Sequence, residues 1–266
     1  MVIGSDMRRT IPSDIEARDA TGVLRFALDT LGRDRLAIGS SFGAEDVVLI
    51  DLLAGLVPRP RVFTLDTGRL PQETHDLIDE VRRRYGIEVE VFLPKAVRVE
   101  TMVRVKGVNL FYDTIENRRE CCGVRKVEPL GRALKTVDGW ITGIRRDQLV
   151  TRAETPKLGV DPQRPDVWKV APLADWTSER VWSYIREHEL PYNALHDRGY
   201  PSIGCAPCTR AVEPGEDERA GRWWWELPAQ RECGIHFDPT SGRMVPNRPT
   251  IESGPFEGRS AVGQRS

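Results

Sequence analysis

Strand, loop and helix recur at roughly 25–30-residue intervals along the first half of this chain, and that rhythm restricts the fold more than anything else in it. A first helix is predicted from Ser13 to Leu31, with Ser13 as its cap. The short apolar run Arg35–Ser40 reads as a strand, followed by a loop over Ser40–Asp46 and helical spacing from Val47 to Leu56. A second strand, Arg61–Asp66, gives way to a helix from Pro71 to Tyr85, with proline at a favourable first position. Further strands are predicted at Glu88–Leu93, Trp140–Ile144 and Val167–Leu173, and a helix from Ser178, as cap, to Leu190. Strands of one direction need crossover helices, so the expected fold is α/β: a mostly parallel twisted sheet flanked by helices.

The 266 residues suffice for one large domain with an appendage. With 39% hydrophobic and 30% charged residues the chain has both a core and a polar surface. A net charge of −1 supplies no general attraction to nucleic acid or an anionic membrane, so neither is expected as a partner. No apolar run reaches membrane-span length, and Met1–Thr10 lacks the apolar centre of a signal peptide. A cytoplasmic location is expected, where cysteines serve as metal ligands or redox groups rather than in disulfides.

The five cysteines divide unevenly. Cys121 and Cys122 are adjacent, Cys205 and Cys208 form a Cys-x-x-Cys, and Cys233 stands apart. Two thiolate pairs suit tetrahedral zinc or an iron–sulfur cluster, and the vicinal pair departs from ordinary zinc spacing. Cys233 is left as a candidate nucleophile, with Arg231 and His236 near enough in sequence to favour its thiolate.

Ligands of open α/β sheets lie beyond the carboxyl ends of the strands. Three such ends here are Ser40–Asp46, with hydroxyls and N–H groups suited to a phosphate, Leu65-Asp66-Thr67-Gly68, and Gly143-Ile144-Arg145-Arg146-Asp147. The first lacks the Gly-Lys-Ser/Thr ending of a Walker loop. Together, Ser-Phe-Gly-Ala-Glu-Asp, Leu-Asp-Thr-Gly-Arg-Leu and Gly-x-Arg-Arg-Asp-Gln resemble the nucleotide-binding loops of the sulfonucleotide reductases. Cys121–Leu130 and Cys205–Glu226 are similar to that family's cluster motifs, and Glu-Cys-Gly-Ile-His to its catalytic ending. The resemblance covers roughly residues 35–236.

That resemblance implies an adenine nucleotide alpha hydrolase-like sheet with a mobile C-terminal catalytic tail. It implies thioredoxin-dependent reduction of adenosine 5′-phosphosulfate (APS) to sulfite and AMP, in assimilatory sulfate reduction, through a Cys–S–sulfonate on Cys233. Arg219 and Arg222, with Lys126, Arg152 and His236, would bind the phosphosulfate, and Ser40, Leu65 and Gly143 the adenosine. Cys121, Cys122, Cys205 and Cys208 would hold one 4Fe–4S cluster; they mark the APS branch against relatives using the 3′-phosphorylated nucleotide (PAPS). The expected division is a body over 1–212, a segment over 213–237 with the arginines and Cys233, and a disordered tail over 238–266. Monomer and homo-oligomer are both open. So are PAPS or dual substrate use and, in another class, a cluster-binding nucleotide sensor. Two departures from the pattern stand out: Leu149 where the family has serine, and about thirty residues after His236.

Overall fold

The computed structural model describes residues 11–148, 152–161 and 164–227. Six strands form one sheet: β1 (Leu36–Ser40), β2 (Val62–Leu65), β3 (Val89–Phe92), β4 (Gly139–Ile141), β5 (Leu158–Asp161) and β6 (Arg164–Val170). Their order is β3-β2-β1-β4-β6-β5, parallel throughout except for the edge pair β5–β6. The mostly parallel sheet matches the expectation; β5 was absent from it. Leu158-Gly159-Val160-Asp161 is too short and too glycine-containing to read as a strand alone. Tertiary partners make it one: β6 pairs with it, and buried Asp161 accepts a hydrogen bond from Trp140 Nε1 at 2.9 Å.

Seven α-helices flank the sheet among the described residues: α1 (Ala20–Leu31), α2 (Ala44–Ala54), α3 (Gln72–Tyr85), α4 (Ala96–Lys106), α5 (Ile115–Cys122), α6 (Glu128–Ala133) and α7 (Ser178–Glu187). Side-chain alternation along the strands assigns the two faces. Leu36 and Ile38 of β1 and Ile141 of β4 pack with α1, α2, α3 and α7 around Val23, Leu49, Leu77 and Val181. Ala37 and Trp140, one residue out of phase, face the opposite layer with Met102, Phe111, Cys121, Leu130 and Trp223.

Several helix starts differ from the sequence reading. Ser13 precedes only a single 3₁₀ turn, Ile15–Ala17; α1 begins at Ala20, where the Asp19 carboxylate accepts the Gly22 N–H at 2.7 Å. The cap of α7 is Thr177, whose extended backbone lets its hydroxyl accept from Arg180 N, so Ser178 is already helical. Pro71 sits one position before α3, and α2 starts three residues ahead of Val47. No helix among the described residues is long and apolar enough to cross a membrane.

Candidate active site

Chain connections run from β1 outward through β2 to β3, whereas β4 leads to the other half of the sheet, so the strand order reverses between β1 and β4. A ligand crevice is expected at that point. A cavity of about 220 Å³ opens there, lined by the ends of β1, β2 and β4 and roofed by residues 201–204 and 218–223. Ser40, Leu65, Gly143, Lys126, Arg152, Arg219 and Arg222, drawn from positions as far apart as 40 and 222, all line it.

The loop after β1 is occupied by its own chain. Asp46 turns back so that one carboxylate oxygen accepts from Ser41 N at 2.6 Å, Ser41 Oγ at 2.9 Å and Gly43 N at 3.3 Å. Ser40 Oγ accepts the Phe42 N–H. The donors that the sequence offers to a phosphate therefore already hold an internal anion. Burial raises the Asp46 pKa to about 6, with Glu45 adding to the rise and the Ser41 and Gly43 hydrogen bonds opposing it. Gly143 is confined by this loop: a Cβ there would lie 2.7 Å from Glu45 Cβ and 2.8 Å from Asp46 Oδ1.

Positive charge enters from other elements. Arg152 Nη1 donates to Gln148 Oε1, and Gln148 Nε2 donates to Glu45 at 3.0 Å. Glu45 also receives Arg145 Nε at 2.8 Å. Arg145 is 2% exposed and also pairs with Asp147, so it ties loops together instead of facing the cavity. Arg222 lies over the Trp223 ring at 4.8 Å and donates to Ile203 O at 3.1 Å. Gly204 makes room for it, because a Cβ there would strike the guanidinium. The Arg222 Nε is shielded from solvent without a hydrogen-bond partner among the described residues.

Lys126 links this cavity to a second, smaller one. Lys126 is carried back beside the cysteines by α5 followed by a π-helical turn, Gly123–Val127. Cys121, Cys122, Cys205 and Cys208 all line the small cavity, with Arg69, Arg118, Arg125 and Lys126 around them. None of the four is in a disulfide. Cys205 Sγ lies 3.3 Å from Thr67 Oγ1. Burial pushes the Cys208 thiol up to about 12, opposed by Lys126 and Arg222, and raises Cys121 against the pull of Arg125 and Arg69.

Among the described residues no three His, Cys, Asp or Glu side chains form a group fit to hold a metal ion. What the chain provides is a cavity walled by four thiols, with no carboxylate among its lining residues and with cations to favour thiolates. That donor chemistry suits an iron–sulfur group, which thiolates select.

The segment after Cys208 folds over the large cavity, to which it gives Glu218, Arg219, Arg222 and Trp223. Thr209 bridges to Arg222, and Trp223 N donates to Cys208 O at 3.2 Å. Trp223 is buried, with Arg118 as well as Arg222 over its ring, while Trp225 packs edge-on against Tyr112. Cys233 and His236 lie outside the described residues, as does Leu149. His196, Glu45 and Gln148 also line the large cavity without having been singled out from sequence. Nothing in the local sequence marks His196 among ordinary surface residues.

Similarities to known proteins agree with this geometry. The phosphoadenosine phosphosulfate reductase domain model matches residues 35–211. An adenosine 5′-phosphosulfate reductase of Allochromatium vinosum is 48% identical over 219 residues, 82% of this chain and 85% of the relative. One from Burkholderia cepacia is 50% identical over 204 residues, 77% and 81% of the two chains. The crystal structure of a phosphoadenylyl-sulfate reductase from Candida auris, a phosphate complex, superposes with a TM-score of 0.63 at 27% identity, covering 76% of this chain and 98% of that one. On the match over more than half its length and these identities, the chain belongs to the phosphoadenosine phosphosulfate reductase family.

Proposed function

We propose that this protein is a cytoplasmic, thioredoxin-dependent APS reductase that releases sulfite and AMP for sulfate assimilation. The observation that carries the reading is the convergence of Lys126, Arg152, Arg219 and Arg222 on one cavity at the strand-order switch, beside a second cavity walled by four cysteines. Relatives named adenosine 5′-phosphosulfate reductase, at 48% and 50% identity, support APS as substrate.

In this reading the guanidinium groups and Lys126 bind the phosphosulfate oxygens, arginine doing so with paired N–H donors. Ser40, Leu65 and Gly143 meet the adenosine. The segment 213–237 delivers Cys233, whose thiolate attacks the sulfonate sulfur. A new S–S bond forms, the S–O bond to the adenylate phosphate breaks, and AMP leaves with that electron pair. His236 and the cations favour the thiolate. Reduced thioredoxin then attacks the Cys233 sulfur; sulfite leaves, and thioredoxin's second thiol resolves the mixed disulfide. Both electrons come from the thioredoxin dithiol.

Cys121, Cys122, Cys205 and Cys208 would hold a 4Fe–4S cluster. When bound, it supplies a fixed charge next to Lys126 and ties residues 121–122 to 205–208; the displacement itself draws no electron from it.

The test is mass spectrometry of the purified protein mixed with APS in the absence of thioredoxin. One added SO₃ group on the Cys233 peptide, released as sulfite by reduced thioredoxin, is the expected result. An adduct with PAPS alone would move the substrate; no adduct with either would sink the mechanism.

A further inference from the structure

His196 is a cavity residue with no place in the mechanism above. Its backbone begins a short turn, His196–Arg198, fixed from both sides. Leu195 N donates to Asn193 Oδ1 at 3.0 Å, and Asn193, 1% exposed, donates in turn to Thr74 Oγ1 at 3.0 Å. Tyr200 N closes onto Leu195 O at 3.1 Å. The ring stands edge-on to Trp182, with centroids 4.9 Å apart and planes at 83°. Its orientation is thus set by packing.

Both ring nitrogens are shielded from solvent, and neither meets a partner in good hydrogen-bond geometry among the described residues, although the Tyr200 backbone acts on the ring. Buried polar atoms without good partners are unfavourable, so a group that pairs with them is held more tightly. Burial lowers the pKa of the ring, with Glu45, the nearby Tyr200 backbone and Asp197 pulling the other way. A neutral imidazole presents one donor and one acceptor.

Consider what a nucleotide offers such a ring. Phosphate oxygens only accept, and their charge would be set against Glu45, which lines the same cavity. A sugar hydroxyl both donates and accepts, and carries no charge. We propose that His196 is a further binding residue of this cavity, hydrogen-bonded to a ribose hydroxyl of the nucleotide. This rests on the nucleotide reading of the cavity given above.

Binding of AMP to the full-length protein tests it, with 2′-deoxy-AMP and 3′-deoxy-AMP as probes, by calorimetry or competition. For the wild type, one deoxy analogue is expected to bind about tenfold more weakly than AMP. In His196→Ala, AMP should weaken by a similar factor and that analogue should show no further loss. His196→Gln, which keeps a donor and an acceptor, should recover part of the AMP affinity and answers for any folding defect of the alanine variant. Undiminished AMP binding in His196→Ala, or a deoxy penalty that persists in it, would overturn the assignment. Should AMP fail to bind the wild type at all, the nucleotide reading itself falls, and this inference with it.

Discussion

Arg118 and Glu226, 108 positions apart, meet as a buried two-pronged ion pair, Nε and Nη2 donating to the two carboxylate oxygens at 2.8 and 2.7 Å. Their side chains are 1% and 3% exposed, and the Arg118 guanidinium also covers the Trp223 ring. The pair fastens the end of the described C-terminal segment to the wall of the cysteine cavity, just before the chain runs on toward Cys233.

Removing one partner strands the other's charge in the interior. Glu226→Leu is expected to cost about 3–5 kcal/mol in denaturant unfolding. The double variant Arg118→Met/Glu226→Leu should recover at least half of that, because it leaves no lone charge. Sulfite release should fall in the single variant. Equal stability of single and double variants would show that the pair does not hold the segment.

Arg219 and Arg222 are assigned to the substrate anion. Arg219→Ala and Arg222→Ala are each expected to weaken APS binding by roughly 10- to 100-fold, the range for losing a charge-assisted hydrogen bond. Iron content should be unchanged. Arg222→Ala should also lower the melting temperature, since Arg222 bonds Ile203 and covers Trp223. Unaltered APS affinity in both would take them out of the site.

Cys121→Ser and Cys208→Ser each remove one thiol from the shared cavity. Both are expected to purify with little iron and labile sulfide and without visible cluster absorption. Cys233→Ser, by contrast, should keep full iron content and APS affinity while losing sulfite release. A serine variant of the quartet with wild-type iron content would refute the ligand set.

Asp46 sets a pH dependence. Its folded pKa of about 6 stands above the 3.8 of the unfolded chain, so between those values the native state holds a proton that the unfolded state releases. The contribution to stability is therefore fully present below pH 3.8 and is lost as pH rises through 6. The span is about 3 kcal/mol, taken from the shift. Denaturant titrations at several pH values should show the stability advantage of wild type over Asp46→Asn shrinking by about 2 kcal/mol from pH 4 to pH 7. A difference that stays flat would place the proton elsewhere.

Much of the fold was written locally. The β1, β2 and β3 strands and the helices between them follow from apolar runs of strand length alternating with helical spacing, which the backbone obeys wherever one face is buried. The cysteine pairs and the Ser-Phe-Gly-Ala-Glu-Asp and Leu-Asp-Thr-Gly-Arg-Leu loops identified the family because each is a contiguous word. What tertiary structure alone decided are relations between distant positions. Asp161 makes β5 an edge strand by reaching Trp140, Asp46 claims the N–H groups that looked free for a phosphate, and Arg118 finds Glu226. His196 becomes a cavity residue only because Asn193 holds its turn against Thr74 and Trp182 fixes its ring. Periodicity and motif spacing record what neighbours in sequence do together. Burial, and the pairing of charges and polar atoms that burial demands, are set by which segments the fold brings into contact.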